Sequence, residues 1–149
     1  MSYNKIGDVL VDQGDLPEAL ESFREGLEIA DRLAKADPGN AGWQRDLAIS
    51  NERVGDISLE QGNEREARQA FERALAAYGV LISRNPGDVQ SQLFSVVPRL
   101  RLAALDPPGA RGHLEAALAI LRPLAEANRL AMRLEWKPAI EGELAAMKN

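Results

Sequence analysis

The stretch from Ile6 to Phe23, IGDVLVDQGDLPEALESF, returns 48 residues later as VGDISLEQGNEREARQAF, Val54 to Phe71. In that register Gly7 pairs with Gly55, Asp8 with Asp56, Gln13 with Gln61, Gly14 with Gly62, Glu18 with Glu66 and Ala19 with Ala67. Phe23 with Phe71, Leu27 with Leu75, Leu33 with Leu81, Pro38 with Pro86 and Gly39 with Gly87 bring the identities to eleven between residues 7 and 39. Ile6 with Val54, Val9 with Ile57 and Asp12 with Glu60 are conservative pairs in the same register. Such repetition constrains the fold strongly, because each copy is one unit that cannot bury its apolar face alone and must stack on the next.

Within a copy the apolar residues fall at Ile6, Val9, Leu10, then Leu16, Leu20, Phe23, Leu27, Ala30 and Leu33, the three-and-four spacing of a helix that buries one stripe. Gly14 and Gly62 are placed to close a helix in the left-handed conformation. Asp15 with Glu18, and Asn63 with Glu66, read as capping boxes that open the next one. Pro38-Gly39 and Pro86-Gly87 end the longer helices, with Asn40 and Asp88 placed to cap their successors. The expected helices are 2–13, 16–36, 41–61, 64–84 and 88–105.

After residue 98 the register weakens. LDPPGARGHLEAALAILRPL still reads as a turn and a helix, and Ala116, Ile120 and Leu130 echo Ala67, Phe71 and Leu81 at an offset of 49. Pro98 and Pro123 fall inside expected helices, where each should kink or split the element. WKPAIEGELAAMK reads as a last helix with Pro138 early in it. The expected organisation is one all-α domain over 1–149: repeat 1 at 1–40, repeat 2 at 41–88, a degenerate repeat 3 at 89–130 and a capping helix at 131–149.

Bulk properties remove several functions. No apolar run approaches the roughly 18 residues of a membrane span, and no N-terminal segment reads as a signal peptide, so a cytoplasmic chain is expected. There is no cysteine and a single histidine, His113, which excludes disulfides, thiolate chemistry and histidine-rich metal sites. A net charge of −5 and a pI near 5.0 argue against a nucleic-acid partner.

The spacing of each unit resembles the tetratricopeptide repeat: a large residue, an apolar residue beside glycine, then an alanine and an aromatic four apart on the second helix. The first copy supplies Tyr3, Ile6, Gly7, Leu10, Ala19 and Phe23, and the second Asn51, Val54, Gly55, Ser58, Ala67 and Phe71. Glycine and alanine suit points where two helices cross closely. Asn51 and Ser58 depart from the pattern, being polar where the family favours aromatics. The 48-residue period is also longer than the family's 34. Splitting the surplus as about seven residues per helix, roughly two turns, keeps the apolar stripe on one face. The resemblance therefore implies stacked antiparallel helical hairpins, about three repeats with the last degenerate, ending in a capping helix.

It also implies a non-catalytic scaffold that binds a peptide or a partner helix on a concave face lined by first helices. Counting from Gly7 and Gly55, the family's groove positions fall on Asn4, Asp8, Val11 and Asp12, and on Glu52, Asp56, Leu59 and Glu60. Their charged members are all acidic, and the lysine, asparagine and arginine clamp with which some members grip a C-terminal carboxylate is absent. The implied guest is a basic or amphipathic segment, and the competing reading is an ordinary solvated face. A second role is self-assembly, as a homo-oligomer, or packing within a larger protein.

Other chemistry finds less support. Asp8 with Asp12, and Asp56 with Glu60, are four apart on one helix face, but a cation site would want a bent loop or a histidine beside them. No serine and aspartate are spaced to relay through His113. GARG lacks the strand and lysine of a phosphate loop. Neither a catalytic constellation nor a cofactor site can be assembled. Trp43 and Trp136 lie at helical spacing from leucines, which favours packing over ligand stacking. RLAMRLEW, residues 129–136, is too short an amphipathic stretch for a membrane surface and suits a partner helix.

Overall fold

A computed structural model describes residues 3–126 and 136–147, and among them every regular element is helical. The helices are α1 (Tyr3–Asp12), α2 (Leu16–Ala36), α3 (Ala41–Glu60), α4 (Glu64–Arg84), α5 (Val89–Leu105), α6 (Ala110–Glu126) and α7 (Trp136–Ala146), with a 3-10 turn at Pro107–Gly109. The chain forms two compact units, residues 1–88 and 89–149. In the first, α1 packs on α2, α2 on α3 and α3 on α4. In the second, α5 packs on α6 and α6 on α7.

The helix boundaries follow from local chemistry that recurs in both hairpins of the first unit. Gly14 and Gly62 have φ of 80° and 79°, a region in which a side chain would be strained. Their helices close alike: the amide of Asp15 donates to the Leu10 carbonyl at 2.8 Å, and that of Asn63 to the Ser58 carbonyl at 2.8 Å. The next helices open with the amide of Glu18 donating to Asp15 Oδ1 at 3.3 Å and that of Glu66 donating to Asn63 Oδ1 at 3.2 Å. Glu66 also accepts from the side-chain Nδ2 of Asn63 at 3.0 Å, which ties the cap to the first turn. Asn40 caps α3 by accepting from the Trp43 amide at 3.1 Å.

Each hairpin is locked by a glycine against a ring. A Cβ on Gly55 would stand 2.8 Å from the Phe71 ring, and one on Gly7 would overlap the Phe23 ring. Only a bare Cα lets the first helix seat on that ring, so the axes close to a distance that buries Phe23, Phe71, Ala19 and Ala67 completely. The two hairpins then share a core in which Leu20 and Phe23 of α2 meet Val54 and Ile57 of α3.

In the second unit neither Pro98 nor Pro123 splits its helix. An internal proline costs about 3 kcal/mol, while burying a side chain such as Val96 or Leu102 contributes about 1.5–3 kcal/mol each. The continuous stripe therefore outweighs the lost hydrogen bond. The core of this unit runs through Leu114, Ala117, Leu118, Leu121 and Leu124 of α6 to Ile140 and Leu144 of α7. Ala116 and Ile120, expected to echo the fully buried Ala67 and Phe71, are only half-buried, because the inward stripe of α6 passes through neighbouring positions. Leu130 lies outside the described residues.

Two glycine substitutions should move stability in opposite directions. Gly55→Ala gains helix propensity but overpacks the Phe71 ring, and is expected to destabilise the chain by about 1–3 kcal/mol. Gly79, inside α4 with open space around its Cα, should stabilise it by roughly 0.5–1 kcal/mol as Gly79→Ala. Chemical denaturation followed by circular dichroism reads both.

Candidate partner-binding surfaces

The first helices α1 and α3 carry the positions singled out from the sequence. Asp8 is half-buried, and its Oδ1 lies 3.3 Å from Arg53 Nε, so an ion pair joins α1 directly to α3. The face is therefore not uniformly acidic, since the groove positions by themselves leave out Arg53. Val11 packs against the core of the first unit, and Leu59 and Asp56 are half-buried. Asp12 and Glu60 are exposed and have no ion-pair or hydrogen-bond partner among the described residues. Asn4 lies on α1, with its side chain outside the described set.

Glu52 has turned toward α4. Its carboxylate accepts from the hydroxyl of Tyr78, which is 1% exposed. Burial, then the charge of Glu52 and the hydrogen bond to it, push that hydroxyl far above its ordinary pKa of 10.0, with Arg53 and Arg45 acting in the opposite direction. Glu52 is thus engaged in holding the α3–α4 hairpin.

A second surface was not foreseen. Between α2, α3 and α4 lies a cleft of about 640 Å³ with Leu27, Leu47, Ala76, Ala77 and Val80 on its sides. Buried Gln44 and Asn51 of α3 lie at its base. Exposed Arg24, Glu28, Lys35 and Arg73 stand around its mouth with half-buried Asp31. Arg24 pairs with Glu66, and Lys35 Nζ lies 2.8 Å from Asp31 Oδ2. The only sequence signal pointing here was Asn51, a polar residue on an otherwise apolar stripe.

Residues 1–38, which contain the Gly7–Phe23 crossing, match the profile described as Tetratricopeptide repeat. Over those residues the chain is similar to a tetratricopeptide repeat. Comparison with curated proteins finds no match. The remainder of the first unit repeats the same devices on a tetratricopeptide-like, all-α plan. Repeats of this family generally mediate protein–protein interaction and are typically non-catalytic.

Among the described residues, no cluster of three or more histidine and carboxylate side chains could hold a metal ion, and no helix is long and apolar enough to cross a membrane. His113 is half-buried in the first turn of α6. Trp43 is half-buried near the start of α3, and the side chain of Trp136 and the rest of RLAMRLEW lie outside the described residues.

The Tyr78–Glu52 pair gives stability a defined pH dependence. Above pH 10 the unfolded chain releases the tyrosine proton while the folded chain retains it, so the unfolded state binds fewer protons and stability falls as pH rises. Tyr78→Phe should flatten the decline from pH 10 to 12 and, at neutral pH, lower stability by about 1.5–3 kcal/mol by removing a donor to a buried carboxylate. Urea unfolding across that range measures both.

Proposed function

We propose that the first unit is a non-catalytic protein-interaction scaffold whose α1/α3 face binds a basic or amphipathic peptide or helix. The contact would run over Asn4, Asp8, Val11 and Asp12 of α1 and Asp56, Leu59 and Glu60 of α3, with Glu52 left out because Tyr78 holds it. The family's use of first helices as a binding face supports the choice of surface.

The observation that carries this reading is the placement of Asp12 and Glu60. Each is the last residue of its helix, and neither helix has a basic residue in its last turn. A carboxylate there opposes the helix dipole at a cost of about 0.3–1 kcal/mol. Both copies keep that unfavourable choice at equivalent positions, exposed and without a partner among the described residues. A local rule broken twice in the same way points to use by a partner, and a cationic segment lying across both ends would relieve the repulsion.

Capture of matched lysine-rich and glutamate-rich peptides at low and moderate salt tests this. Selective capture of the basic peptides, weakening as salt rises, is expected. Asp12→Lys with Glu60→Lys should weaken it about tenfold or more, with the melting temperature unchanged or slightly higher. Capture of neither class would overturn the reading and leave self-association as the role of this face.

A further inference from the structure

We draw no further inference here: the strongest candidate, the apolar edge of α1 on which Val9 is 47% exposed where its repeat counterpart Ile57 is buried, is an unpartnered helix face, and nothing in the structure shows what covers it.

Discussion

The contact between a bare glycine Cα and a phenylalanine ring governs the first unit. Where Gly55 meets Phe71, no side chain fits between the helices, and the axes approach until the small alanines around the crossing are sealed from water. That approach sets the hairpin angle, and the angle decides which residues of α3 face α2, which face α4 and which face solvent. The same contact at Gly7 and Phe23 gives α1 and α2 equivalent geometry, so α1 and α3 come side by side closely enough for Asp8 to pair with Arg53.

Two surfaces of different character follow from this stacking. The α1/α3 face exposes unpaired carboxylates at helix ends where electrostatics disfavour them. The α2/α3/α4 cleft is apolar within, with cations prominent at its mouth and an unsatisfied acceptor at its base. Asn51 and Ser58 occupy positions where the family favours large rings, and both are buried with an unpartnered oxygen. A ring at position 51 would occupy the base of the cleft, so the small polar side chain helps to keep it open.

How much of this was legible in the sequence depended on how local its cause was. α2 and α4 have the expected bounds, since an Asx N-cap opens each and an Asx-Pro-Gly turn ends each, all within a few residues. Pro98 and Pro123 misled because the rule against internal proline is local, whereas the burial that overrides it comes from packed neighbours. The acidic face was visible as a pattern, but Arg53 was not recognised as part of it because its pairing with Asp8 spans two repeats. Glu52 looked like a groove residue, yet its hydrogen bond to Tyr78 is set by the register of α3 on α4. The cleft needs three helices at once, and Asn51 alone hinted at it.

The central claim is that α1 and α3 offer a cationic partner the exposed carboxylates that end them. Its most direct test is a titration of the labelled full chain with a lysine-rich peptide and, separately, with a glutamate-rich one. The account predicts perturbed amides around Asp12 and Glu60 with the lysine-rich peptide alone. Shifts centred on other helices, or an equal response to both peptides, would contradict it.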